Sequence, residues 1–150
     1  MLTIDQIREV AVAARRALEA GPLRIGADDF DVTFAQFPRG ACSDTCLLVA
    51  ELYRRLGCSV QVLAGERSDP FRSHVWLAVE GVIVDLTADQ FDGERQPAVF
   101  IAASSRWHAE TWRPSSFSQS FAEYEEPWRS YFRAGLAALD SRMGRENEQT

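Results

Sequence analysis

Apolar positions change period twice along this chain. Between Thr3 and Ala20 they fall at Ile7, Val10, Ala11, Ala14 and Leu18, the spacing of one helix face. Thr3 stands at a capping position and Gly21-Pro22 ends the run, so a packing helix is predicted up to about Ala20. Leu23 to Ala41 has no firm period and reads as a looser connection, holding Gly26, Asp28-Asp29 and Phe37-Pro38-Arg39-Gly40. A second helix is predicted from near Ser43 to Gly57, capped by Ser43 or Asp44 and ended by Gly57. Its apolar residues, from Cys46 and Leu47 to Tyr53 and Leu56, cover most of the circumference. That pattern suits a helix buried at the centre of a fold.

The period then shortens. Val60 to Ala64 reads as a strand, and Ser73 to Val79 with Val82 to Leu86 reads as a hairpin about Glu80-Gly81. Ala98 to Ala102 is a fourth candidate strand. Residues 103–126 mix serine, aromatic and acidic residues without a period and read as an irregular covering segment. Pro127 suits the first turn of a C-terminal helix over about 127–143, carrying Trp128, Tyr131, Phe132, Leu136 and Leu139. The polar tail, 144–150, is expected to fray. Helices segregated from a strand meander predict an α+β fold, one domain over 1–150 with its core at 23–102.

The hairpin carries more than fold. With a two-residue turn, Val79 pairs with Val82, and Asp85 comes opposite Trp76. His74, Trp76, Ala78, Ile83, Asp85 and Thr87 then share one face. Val75, Leu77, Val79, Val82, Val84 and Leu86 share the other, which is entirely apolar and is expected to be core. His74 and Asp85 become diagonal neighbours, roughly 7–8 Å apart at the backbone. At that range a carboxylate can reach an imidazole nitrogen and fix its tautomer. The alternative is a surface strand pair with the two residues together by chance.

Bulk properties narrow the classes. The chain has 150 residues, 46% of them hydrophobic, enough for one domain with a core. Its net charge of -6 suits a nucleic-acid phosphate backbone poorly, so no nucleic-acid partner is expected. No apolar run approaches a membrane span and the N-terminus carries no leader pattern. Three cysteines do not make a disulfide framework. A cytoplasmic protein is expected, with export by a specialised secretion system left open.

Candidate chemistry centres on Cys42, where Phe37-Pro38-Arg39-Gly40-Ala41 enters the central helix. The helix dipole favours a thiolate there, and the unpaired N–H groups of the first turn can hold an oxyanion. A small buried apolar residue is the alternative. Cys46, one turn on, is the rival nucleophile; Cys46 and Cys58 otherwise read as packing residues. His108, in an irregular segment, is a second candidate histidine with no partner at a defined spacing.

Gly40-Ala41-Cys42 followed by Leu48, Leu52, Arg55, Leu56-Gly57, Val62 and Gly65 resembles the cysteine helix and following strand of the transglutaminase-like superfamily. Ser73-His74-Val75-Trp76-Leu77, then Gly81 and Val84-Asp85-Leu86-Thr87, resembles its histidine and aspartate strands. The resemblance covers about residues 37–91. It implies a papain-like fold and a Cys42-His74-Asp85 triad that hydrolyses an amide through a thioester, as a peptidase or a glutamine deamidase. Water is the expected acceptor, because no calcium-loop pattern accompanies the triad. The resemblance also offers Gln36, six residues before Cys42, as an oxyanion donor, with an exposed loop residue as the alternative. Ala41 and Trp76 join it as candidate oxyanion or substrate contacts. Gln90 is a possible brace, though a turn cap is the simpler role. Trp76 and Trp107 are groove walls or buried packing. No cofactor is expected, and the partner is a peptide or protein substrate. Two other readings stay open: a catalytically silent papain-like binding module, and a Cys₃His zinc site from Cys42, Cys46, Cys58 and His74.

Overall fold

The computed structural model describes residues 1–26 and 28–148. Thr3 opens α1 (Ile4–Glu19) with a reciprocal cap. Its hydroxyl accepts from the Gln6 N–H at 3.2 Å, and the Gln6 side chain accepts from the Thr3 N–H at 2.9 Å. Ile7, Ala11, Ala14 and Leu18 are buried on one face, as the period requires. A short helix, α2 (Asp28–Thr33), lies where the sequence reads as loop; six residues are too few to carry a helical period.

The central helix α3 (Cys42–Arg55) begins one residue before its expected cap. Ala41 occupies the cap position and makes no side-chain capping bond, so neither Ser43 nor Asp44 plays that part. The Asp44 carboxyl instead bonds to Thr33. The C-terminal end follows expectation. Gly57 turns left-handed at φ 83°, its N–H donates to Arg54 O, and the Cys58 N–H donates back to Tyr53 O. Thr45 to Ala50, Leu52 and Tyr53 are all buried. The Tyr53 hydroxyl ties this helix to α1 by donating to Ile7 O at 2.6 Å.

Five strands follow: β1 (Val60–Arg67), β2 (Arg72–Val79), β3 (Val82–Asp85), β4 (Phe100–Ala102) and β5 (Arg113–Ser115). They form one antiparallel sheet in the order β4-β3-β2-β1-β5. The hairpin register is the counted one, Val79 with Val82 and Leu77 with Val84. Both turn residues have positive φ, 51° at Glu80 and 78° at Gly81, the twist that suits a tight hairpin. Val75, Leu77, Val79, Val84 and Leu86 face the helices and join the core.

Residues 103–126 are more regular than the sequence suggests. They contain α4 (Arg106–Thr111) and the edge strand β5, then a single 3-10 turn at Phe121–Glu123. β5 returns to pair with β1 at the far edge of the sheet from β4. Gly65 of β1 makes that return possible: a Cβ there would lie 2.5 Å from Trp112 Cβ. Helix α5 (Trp128–Glu148) starts one residue after Pro127 and continues through Glu148. The expected fraying at 144–148 is thus replaced by helix, and Gln149 and Thr150 lie outside the described residues. Phe132, Leu136 and Leu139 bury one stripe of α5 beside α1 and α3. Among the described residues the molecule is a mixed α/β fold with five helices and a five-stranded antiparallel sheet. Among the described residues no helix is long and apolar enough to cross a membrane.

Candidate active site

Cys42 is the first residue of α3 and is half-buried. With Ala41 unable to cap, the N–H groups of this first turn receive no side-chain cap. From that position Cys42 is among the groups that raise His74, after Asp85. Cys46 takes a different environment one turn on. Its thiol donates to Val75 O at 3.4 Å, and burial, then the Asp85 and Cys42 charges, push it well above the usual thiol range.

His74 projects from β2 on the face opposite the aliphatic core, next to the β3 end that carries Asp85. The diagonal closes into a direct contact: His74 Nε2 lies 2.6 Å from Asp85 Oδ2, with both side chains fully buried. The other carboxylate oxygen accepts from the Thr87 N–H at 3.0 Å. With Nε2 committed to Asp85, Nδ1 is the nitrogen left for Cys42 and for Gln90, whose amide nitrogen lies 3.5 Å away. Burial opposes charge on His74, but the Asp85 carboxylate, by charge and hydrogen bond, and then Cys42 lift it to about 9. Burial likewise opposes charge on Asp85. The His74 charge and the hydrogen bonds from His108 and His74 overcome it and hold the carboxyl well below its usual range.

A clamp from α1 fixes the segment behind Asp85. Arg15 is 7% exposed, and its guanidinium donates to Leu86 O at 2.7 Å and to both Asp89 oxygens at 2.8 and 2.9 Å. The helix read as mere packing therefore helps position the carboxylate. The Gln90 amide donates to Thr87 O at 3.0 Å, capping the turn, and its nitrogen lies 3.5 Å from His74 Nδ1.

His108 lacked a partner at any defined sequence spacing, yet the structure gives it one. It sits on α4, 3% exposed, with Nε2 2.7 Å from Asp85 Oδ2, the same oxygen that contacts His74. Its Nδ1 meets the Ser105 hydroxyl, which also accepts the His108 backbone N–H and caps α4. His108 thus addresses Asp85 and is not the histidine paired with Cys42. The one sequence signal is Ser105 three residues ahead of His108, a helix-opening spacing.

The remaining candidates separate. Ala41 is buried at the helix start beside Cys42. Gln36 lies exposed in a turn, where its carbonyl accepts from the Arg39 N–H; nothing brings its side chain to the sulfur. Trp76 is 7% exposed and packs against His74 and His108, at ring separations of 5.7 and 4.8 Å, and it also lines a hollow with His108 and Trp112. Phe91, Trp107 and Trp112 complete an aromatic layer round His74. Nothing gathers Cys42, Cys46, Cys58 and His74 into a zinc set: among the described residues, the one group of three potential metal donors is His74, Asp85 and His108. Its two nitrogen–oxygen contacts, 2.6 and 2.7 Å, are hydrogen-bond lengths. Donors about 2.1 Å from a shared ion stand farther apart than that in tetrahedral geometry.

A cleft of ≈ 850 Å³ opens beside this cluster, lined by Ser73, Gln90, Phe91, Arg39 and the β1–β2 turn. Phe71, 63% exposed, stands at its edge. Arg39 and Asp92 pair at 2.7 Å, as do Arg67 and Glu94. The cleft therefore reaches the Nδ1 side of His74 through Gln90. Compared with protein-family models, with curated proteins and with solved structures, the chain matches none.

Proposed function

We propose that this chain is a cysteine-dependent acyl-transfer enzyme on a papain-like, transglutaminase-like scaffold, hydrolysing a peptide or protein amide. The observation that carries the reading is the buried His74–Asp85 pair, with a cysteine at the first turn of α3 among the groups that raise His74. The Cys42 sulfur attacks the amide carbonyl with its proton held on His74. First-turn N–H groups of α3 face the oxyanion that forms. His74 passes the proton to the departing nitrogen, and a thioester remains on Cys42. Water then attacks the thioester, giving its proton back through His74 and freeing the acid. A glutamine side chain would release ammonia; a main-chain amide would release a new amine. Asp85 keeps Nδ1 turned to the sulfur by binding Nε2. The reaction asks for no cofactor, and a reducing cytoplasm would keep the sulfur free.

Chloroacetamide labelling tests the assignment. Cys42 is expected to take the label first, Cys42→Ala to abolish fast labelling, and His74→Ala to slow it at least tenfold. Fast labelling that survives in Cys42→Ala and vanishes in Cys46→Ala would overturn the nucleophile. Labelling unaffected by His74→Ala would remove the relay.

A further inference from the structure

The reading above uses one of the two imidazoles on Asp85. The second is equally buried, reaches the same oxygen, and comes from the covering segment and not from the hairpin. We propose that His108 is a positioning residue of this site: it holds Asp85 by Oδ2 and divides that oxygen's charge between two imidazoles, thereby setting how firmly His74 keeps its proton. This inference rests on the acyl-transfer reading for its purpose, but not for its test.

The hydrogen bonds assign the tautomer. Ser105 Oγ accepts from the His108 backbone N–H at 3.2 Å and is free to give its own proton to Nδ1. That leaves the ring proton of His108 on Nε2, pointing at Asp85. Asp85 Oδ1 is occupied by the Thr87 N–H and lies near its hydroxyl. Oδ2 therefore receives two donors, and each weakens the other's hold. Remove one, and the undivided charge of a buried carboxylate falls on His74. The charged and titratable groups facing this cluster come from several elements: Cys42 and Cys46 from α3, His74 from β2, His108 from α4, and Glu94 across from His74. Among them only His108 shares the oxygen that His74 uses.

The sequence makes the test clean, because His74 and His108 are its two histidines. In His108→Phe only one imidazole remains, and its titration by NMR belongs to His74 without further assignment. Phenylalanine keeps the bulk and loses the donor. The His74 midpoint is expected to rise by about one pH unit, a tenfold gain in proton affinity. In His108→Gln the amide nitrogen falls near the former Nε2, so the midpoint is expected to return to within about 0.3 of the wild type. A folded His108→Phe with an unchanged midpoint would overturn the proposal. So would a His108→Gln that shifts as far as His108→Phe, because shape and not the donor would then govern. If His108→Phe does not fold, His108→Asn takes its place: its amide stops short of Asp85, and the same upward shift is expected. These midpoints do not depend on whether Cys42 is a nucleophile. A failed labelling result with shifted midpoints would reject the enzyme and leave the charge sharing intact.

Discussion

Replacing Asp85 by Asn removes one charge and almost no volume, so its effects isolate the carboxylate. In the native protein Oδ1 accepts from the Thr87 N–H and Oδ2 from two imidazoles. An amide must turn its NH₂ toward one of these donor sets, leaving a buried donor facing donors. The net effect, in which Asp85 and then Cys42 outweigh burial, can be sized from His74, which is fully buried and moves from 6.5 to about 9. That difference corresponds to roughly 3 kcal/mol in favour of the charged ring. The lowered Asp85 value describes the same interaction from its other side, so the two are not added. Because the folded His74 value lies above the unfolded one, its contribution is complete below pH 6.5 and is lost as pH rises through about 9. The Asp85 value is depressed, so its side of the pair is kept above the ordinary carboxyl range and lost only in strong acid. Urea unfolding at pH 6.5 and at pH 10 should therefore show the wild type losing roughly 3 kcal/mol more than Asp85→Asn across that interval. Parallel losses in the two proteins would refute the pairing of His74 with an ionised Asp85.

Two further outcomes follow from the supporting structure. Gly65→Ala forces a Cβ to 2.5 Å from Trp112 Cβ, and displacing β5 from the sheet edge should cost about 1–3 kcal/mol in urea unfolding. Exposure of Trp112 would accompany it as a red shift in fluorescence. Arg15→Met keeps the stem and loses the guanidinium bonds to Leu86 O and Asp89; a stability loss of about 3 kcal/mol is expected, together with slower labelling of Cys42.

What the chain reveals unaided follows contact range. The His74–Asp85 pair is legible because a two-residue turn and strict alternation fix parity, and one residue more or less would have parted them. The end of α3 is legible because Gly57 alone suits the left-handed turn there. Its start is not, because Ser43 and Asp44 both resemble caps while the helix begins on Cys42 and Asp44 bonds to Thr33. Arg15 lies next to Arg16 in a helix where arginine is expected on the solvated face; Glu19 is one turn on, but the partners of Arg15 behind Asp85, Leu86 and Asp89, are more than seventy positions away. His108 is hidden for the same reason. Its position depends on a six-residue helix and on a strand that crosses back to β1, and neither has a period long enough to read.

The return of β5 to the far edge of the sheet has a consequence for traffic. Trp107 and Trp112 pack over His74, and the sheet hydrogen bonds of β5 fasten that cover to the strand next to the one carrying His74. His74 and Asp85 have essentially no surface, while Cys42 keeps some. The imidazole and the carboxylate are thus enclosed, and of the three candidate catalytic residues Cys42 alone keeps appreciable surface. Water therefore meets the sulfur before it meets the imidazole.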